Sequence, residues 1–456
     1  MHDDLARSLG RLSELALAYA QLDDSDPVRP VLDPDHAVDS LGLALPALGM
    51  DIDSVLDRVA RVLAATPSTS GPRFFNQLFA GRDPAAAVAD MLASLANNSM
   101  YTYKVAGPMV LIENLLVREM GRLAGFEDAE GVFTPGGSLS NLAALLCARN
   151  AAVPHARDRG VDGRPLRVYS SADAHYSIRK GVGMLGMGRD NLVSIPCDAE
   201  GRMDPVALEA AVVADRATGL TPVMINATAG TTVQGAFDPL DALADVAERQ
   251  GVWLHVDGAY GGTMLLSEPR RHLLAGLHRA DSFTWDAHKM MGVPLVCSVI
   301  LVRKRGLLTA LLNESASYLF QGDTDLYNPG TRSLQCGRRN DVLKLWAAWQ
   351  YHGLTGFAAR VERQLLLANQ LADRVAAAPD FSLLRRPASL NVCFELTGKP
   401  SDAICARLHE LGLAMVGHAT VNERCVIRTA CVNPDLRAED LEALLDAIRE
   451  VGATLP

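Results

Sequence analysis

Lys289 stands out by its surroundings. It lies in FTWDAHKMMGVPL (283–295), where apolar residues dominate but Asp286 and His288 sit close by. Burying a lysine is costly unless it is paired, neutralised or used chemically. A desolvated lysine is a good nucleophile and Schiff-base former. The same lysine also has a plain structural reading, with its stem along a helix start and its head in water.

Two other stretches share this double character. VWLHVDGAYGG (252–262) is an apolar run that ends on Asp257, then small residues. Ligands of α/β sheets bind at the carboxyl ends of strands, although an aspartate there also caps helices. In GVFTPGGSLSNLAALL (131–146), glycines lead into a helical pattern with Ser138 and Ser140 in its first turn. A helix N-terminus after glycines suits an anion and equally makes an ordinary capped turn. Taken together, the three supply what pyridoxal 5'-phosphate needs. A lysine meets its aldehyde, a carboxylate holds the proton on its ring nitrogen, and an anion site takes its phosphate.

Other chemistries lack their parts. Gly181, Gly183 and Gly186 spell G-x-G-x-x-G, but a polar, helical-looking HYSIRK precedes them rather than a strand. Close packing of a small-residue helix is the better reading. Neither a P-loop motif nor G-x-S-x-G occurs. The eight cysteines form no C-x-x-C pair and no zinc-like spacing, so no metal is expected.

These residues need a scaffold. Helical periods over 85–96, 108–123, 140–152, 205–215 and 240–250 alternate with β-rich runs. The runs are 166–170, 221–226, 252–257, 282–285 and 297–302. That alternation predicts an α/β fold with a mixed or parallel sheet. One long helix over 340–378 leads to a smaller α+β unit, with strands near 389–396 and 424–432 and helices near 401–411 and 438–451. Residues 2–22 form an amphipathic helix with nothing of its own to pack on, followed by an acidic, proline-rich linker (23–36) and a helix over 51–64. The expected division is a helical arm (1–60) packing on a partner subunit, a large cofactor domain (61–345) and a small C-terminal domain (346–456).

Composition narrows the class. The 456 residues are 49% hydrophobic and 21% charged, as in ordinary globular proteins. A net charge of −10 argues against nucleic acid and anionic membranes as partners. No uncharged apolar run is long enough to span a bilayer, and scattered cysteines in apolar runs fit a reducing cytoplasm.

From about residue 55 onward the chain resembles the pyridoxal-phosphate-dependent decarboxylases that act on glutamate, aromatic amino acids and cysteine sulfinate. The landmarks are PRFFNQLF (72–79), SMYTYKVAGP (99–108), PGGSLSN (135–141), AHYSIRKG (174–181), ATAGTTVQGAFDPL (227–240), HVDGAYGG (255–262), DAHK (286–289), SYLFQ (317–321) and QCGRR (335–339). The resemblance implies an aminotransferase-like fold of type I and a homodimer with its active site at the subunit interface. It makes Lys289 the Schiff-base lysine, Asp257 the partner of the ring nitrogen and His175 the residue stacked on the ring. Thr228 and Ala259 would contact the ring region. Ser138, Ser140, Asp286 and His288 would lie on the phosphate side, and Gly337 would reach the phosphate from the neighbouring subunit. Arg428 would clamp the substrate's α-carboxylate, and Tyr327, in the loop QGDTDLYNPG, would return a proton to Cα.

Phe79, Ser99 and Tyr101 match the cysteine sulfinate pattern rather than that of animal glutamate decarboxylases. They imply a small acidic substrate with its acid group on Cβ: cysteine sulfinate, cysteate, aspartate or 3-phosphonoalanine. Glutamate or 2,4-diaminobutyrate decarboxylation, or decarboxylation-dependent oxidative deamination, are the alternatives. The chain departs from this branch at Asp286, where an asparagine is usual, at Lys104, at Gly107-Pro108 and in STSGPRF.

Overall fold

Runs such as VMINAT and SVILV are buried along their whole length, as strands covered on both faces must be. The computed structural model describes residues 2–25, 28, 32–314 and 327–456. Seven such strands form one sheet: β1 (Glu130–Thr134), β2 (Leu166–Ser171), β3 (Leu192–Ile195), β4 (Thr221–Thr228), β5 (Trp253–Asp257), β6 (Ser282–Asp286) and β7 (Ser298–Val302). Their order is β1-β7-β6-β5-β4-β2-β3. β6, β5, β4, β2 and β3 are parallel neighbours, while β7 runs antiparallel to both β6 and β1. β1 therefore points the same way as β6. Thr134, Thr228, Asp257 and Asp286 all end their strands on one edge of the sheet.

Helices Gly137–Ala152, Pro205–Ala217 and Leu240–Gln250 pack on this sheet. Gly181 does what close packing asks of it: a Cβ there would meet Leu145 Cδ1 at 2.6 Å. Gly107 takes φ 54° and Pro108 opens helix Pro108–Leu123, so the two residues that depart from the related pattern make a helix start. The segment expected as one helix, Val342–Ala377, is broken at Gly353 (φ 59°, ψ −175°), a conformation reserved for glycine.

The chain divides into two compact units. Arg82–Leu365 and Pro387–Leu390 make the first, which contains the seven-stranded sheet. Met1–Gly81, Leu366–Arg386 and Asn391–Pro456 make the second. Its sheet is antiparallel, in the order β10 (Gly417–Val421), β11 (Arg424–Ala430), β9 (Asn391–Leu396), β8 (Phe381–Leu383). Phe75, Phe394, Ile404, Ile427 and Leu444 form part of its core. Helix His2–Ser25 does have something of its own to pack on, namely helix Ile52–Ala65, with Arg11 3.0 Å from Asp57. Leu5, Leu9, Leu12 and Leu17 stay exposed. Among the described residues no helix is long and apolar enough to cross a membrane.

Candidate active site

Lys289 lies in the turn after β6, where its N–H donates to Asp286 O at 3.3 Å. Its Nζ is 3.5 Å from Asp286 Oδ2, and its side chain is 21% exposed. The lysine is thus paired and reachable. Several bonds fix this turn. Arg360 donates to Met291 O at 2.5 Å, Gln364 donates to Met290 O at 3.3 Å, and Asp83 N–H donates to Gly292 O at 3.3 Å. Asp83 in turn accepts from Arg360 at 3.1 Å, meets His352 Nε2 at 2.5 Å and caps helix Pro84–Ala96 through Ala86 N.

Asp257 ends β5 directly beside Thr228 of β4. Its Oδ2 accepts from Asn141 Nδ2 at 2.7 Å and its Oδ1 from Ala259 N–H at 3.1 Å. Behind it, Asn141 Oδ1 is 3.1 Å from His255 Nε2, His255 Nδ1 is 2.9 Å from Ser282 Oγ, and Trp253 Nε1 donates to Ser282 Oγ at 2.8 Å. One assignment satisfies every member: Trp253 donates to Ser282, Ser282 to His255, His255 to Asn141 and Asn141 to Asp257. Burial pushes His255 down to about 4, so it is neutral and has a single N–H to give. Asp257 receives donors only. Asn141 and His255 were not assigned roles from sequence, although both lie within the quoted landmarks.

His175 follows β2, and its Nδ1 accepts from Ser177 N–H at 3.3 Å, which leaves any proton on Nε2. Burial holds its imidazole below the ordinary value, against the opposing pull of Asp257 and Asp286. Thr228 N–H donates to Asp238 Oδ2 at 2.7 Å, while Thr228 Oγ1 is buried with no hydrogen-bond partner. Such an orphan needs a ligand atom or water.

On the opposite side, Ser140 Oγ is buried and spoken for, 2.6 Å from Thr134 Oγ1 and 2.9 Å from Ser298 Oγ. Ser138 is exposed at the start of helix Gly137–Ala152. A Cβ on Gly137 would lie 2.7 Å from Asp286 Oδ2 and 3.2 Å from Ala259 Cβ, so only glycine fits there. Asp286 accepts from Ser298 Oγ at 2.5 Å and lies 3.5 Å from His288 Nε2. His288 Nδ1 sits against the Cys297 backbone, and burial lowers its imidazole too.

Other expected residues are held in different ways. Ser99 Oγ accepts from Arg338 N–H at 3.3 Å, and the Tyr101 ring packs on Gly330. Arg338 forms a buried, two-pronged ion pair with Glu113, at 2.8 and 2.7 Å, which anchors the QCGRR segment. Gly337 beside it is exposed with open space around its Cα. Tyr327 is 38% exposed, its ring 5.7 Å from that of Tyr103. SYLFQ and most of the loop before Tyr327 lie outside the described residues. Phe79 and Arg428 belong to the second unit. There Arg428 donates to Asn76 O at 2.6 Å, and Phe79 lies 6.3 Å from Phe74 between ring centres.

An amine on a turn, a donor-fed carboxylate, an unpartnered hydroxyl and a glycine-lined helix start share one sheet edge. Those groups fit pyridoxal phosphate. Known proteins agree. The model of the pyridoxal-dependent decarboxylase conserved domain matches residues 34–397. The cysteine sulfinic acid decarboxylase of Mus musculus is 37% identical over 446 residues, covering 93% of this chain and 90% of that one. The acidic amino acid decarboxylase GADL1 of Bos taurus is 37% identical over 442 residues, covering 92% and 85%. The crystal structure of mouse CSAD in apo form superposes with a TM-score of 0.92 at 34% identity, covering 99% of this chain and all of that one. The chain therefore belongs to the pyridoxal-dependent decarboxylases, carboxy-lyases of the aminotransferase-like fold.

Proposed function

We propose that this enzyme removes the α-carboxylate of a small acidic L-amino acid whose second acid group is on Cβ, such as cysteine sulfinate, cysteate, aspartate or 3-phosphonoalanine. The observation that carries this reading is the set Phe79, Ser99 and Tyr101 in a chain 37% identical to mouse cysteine sulfinic acid decarboxylase. A bulky Phe79 shortens the pocket, and the two hydroxyls donate to a close, oxygen-rich acid group. When bound, pyridoxal phosphate supplies the sink for the electrons left behind by carbon dioxide. Lys289 offers the amine that holds the cofactor and yields to substrate. Asp257, oriented by the relay behind it, holds a proton on the ring nitrogen. His175 covers the ring face, Arg428 grips the α-carboxylate through its planar fork, and the Tyr327 hydroxyl returns a proton to Cα.

The working unit in this reading is a homodimer, with Gly337 completing the phosphate site of the neighbour. Exposed Leu5, Leu9, Leu12 and Leu17 on the first helix are the apolar face that would pack on the partner. The free cysteines fit a cytoplasmic setting. The test is carbon dioxide release across the four Cβ acids, glutamate, 2,4-diaminobutyrate and aromatic amino acids, with amine and aldehyde products both quantified. Turnover of a Cβ acid to its amine is expected. A strong preference for glutamate, or aldehyde with peroxide as product, would overturn the reading.

A further inference from the structure

Asp286 is the residue that the cofactor chemistry leaves unexplained. It is buried against the first residue of helix Gly137–Ala152, so close that a Cβ on Gly137 would stand 2.7 Å from Oδ2 and 3.1 Å from Oδ1. The glycine leaves a carboxyl group beside the helix start that suits the cofactor's phosphate. We propose that Asp286 makes the binding of pyridoxal phosphate consume a proton, taken from solvent onto the Asp286 carboxylate as the phosphate arrives. This rests on the reading that Gly136, Gly137 and Ser138 receive the phosphate.

Two observations carry the idea. The first is the supply of counter-charge. Lys289 Nζ and His288 Nε2 each lie 3.5 Å from Asp286 Oδ2. Lys289 is the group that must leave for the cofactor's aldehyde. Burial keeps His288 and His175 toward their neutral forms, and it keeps the Cys297 thiol protonated. Lys344, whose charge also reaches His288, is engaged 2.9 Å from Asp341. Once Lys289 is committed, no adjacent cation among the described residues balances both a phosphate and a carboxylate, and like charges in a shared site drive one of them to protonate.

The second is a chain of hydroxyls that works in both directions. With Asp286 ionised, Ser298 donates to it, Ser140 donates to Ser298 and Thr134 donates to Ser140. With a proton on Oδ1, Asp286 donates to Ser298 and each bond reverses, ending at the Gly136 carbonyl, 3.4 Å from Thr134 Oγ1. Every buried hydroxyl keeps an acceptor for its own proton in either state. The proton therefore arrives without orphaning a buried polar group.

The experiment is calorimetry near pH 8, in two buffers of different ionisation enthalpy, on the apo-protein and its Asp286→Asn variant. Pyridoxal phosphate is compared with pyridoxal, which has the same aldehyde and no phosphate. The native chain should take up roughly one more proton with pyridoxal phosphate than with pyridoxal, and Asp286→Asn should abolish the excess. The native affinity should also fall with rising pH by up to about tenfold per unit more steeply than that of Asp286→Asn. Equal uptake for the two ligands, or an excess that survives in Asp286→Asn, overturns the proposal. Should the variant fail to fold, the native comparison of the two ligands decides alone. If pyridoxal phosphate bound no tighter than pyridoxal, the phosphate reading itself would fall. Tighter binding without the extra proton would sink only the role of Asp286.

Discussion

Asp257 accepts from Asn141 and from the Ala259 backbone, and the donors behind Asn141 all point the same way. Removing the nearest link should make the carboxylate a poorer holder of the ring proton. Asn141→Ala is expected to lower kcat by about 10- to 100-fold, the worth of a hydrogen bond to a charged group. KM should change little, and steady-state kinetics read the split. A loss confined to KM would contradict a role in holding the proton. Gly137→Ala forces a Cβ onto Asp286 and should weaken pyridoxal phosphate binding by about 10- to 100-fold, as overpacking of this kind costs. Unchanged affinity in a fluorescence titration would place the phosphate elsewhere. Lys289 and Asp257 drew notice in the sequence as charged residues at or just after apolar strands, whereas His175 was named only through the family resemblance. Asn141 and His255 drew no notice. Asn141 meets Asp257 across 116 positions and His255 across 114, and nothing local marks that meeting.

Strands β4 and β5 join two buried groups that titrate in opposite senses. His255 is pushed down to about 4 by burial, whereas Asp238, which accepts from Met203 N–H and Thr228 N–H, is pushed up to about 6. Between about pH 4 and 6.5 the unfolded chain protonates His255 and the folded one does not, so that contribution is complete above the window and is lost as pH falls. Asp238 holds a proton in the folded chain where the unfolded chain has lost it. Its contribution is complete below about pH 4 and is lost as pH rises toward 6. The two slopes oppose. Asp238→Asn should leave the His255 slope uncovered, so that stability rises with pH by up to about 1.4 kcal/mol per unit more than in the native chain. Denaturant melts from pH 4 to 6 measure this, and parallel curves for the two proteins would refute it. The longer elements were legible to within a few residues because hydrophobic period and length agree there. Short strands such as β3, β8 and β10 were missed, since three to five residues carry too little period to stand out. The break at Gly353 was missed too, because a single glycine inside a helical pattern reads as tolerated.

The molecule as a whole was legible as an α/β fold of aminotransferase type. Residues before 82 group with the C-terminal sheet, a long-range association that no local composition shift announces. If the site is shared between two copies, Lys289→Ala and Gly337→Trp chains should each be inactive alone. Co-refolded in equal amounts they should recover about a quarter of native activity, because half the dimers are mixed and each mixed dimer has one intact site. No recovery would argue that each chain carries a complete site. The most direct test of the account is a competition in one tube, with cysteine sulfinate and glutamate at equal concentration and the two amines quantified at early times. Their ratio is the ratio of kcat/KM values, and the proposed role of Phe79 in limiting side-chain length predicts at least about tenfold more amine from the Cβ acid. An excess of the amine derived from glutamate would contradict it.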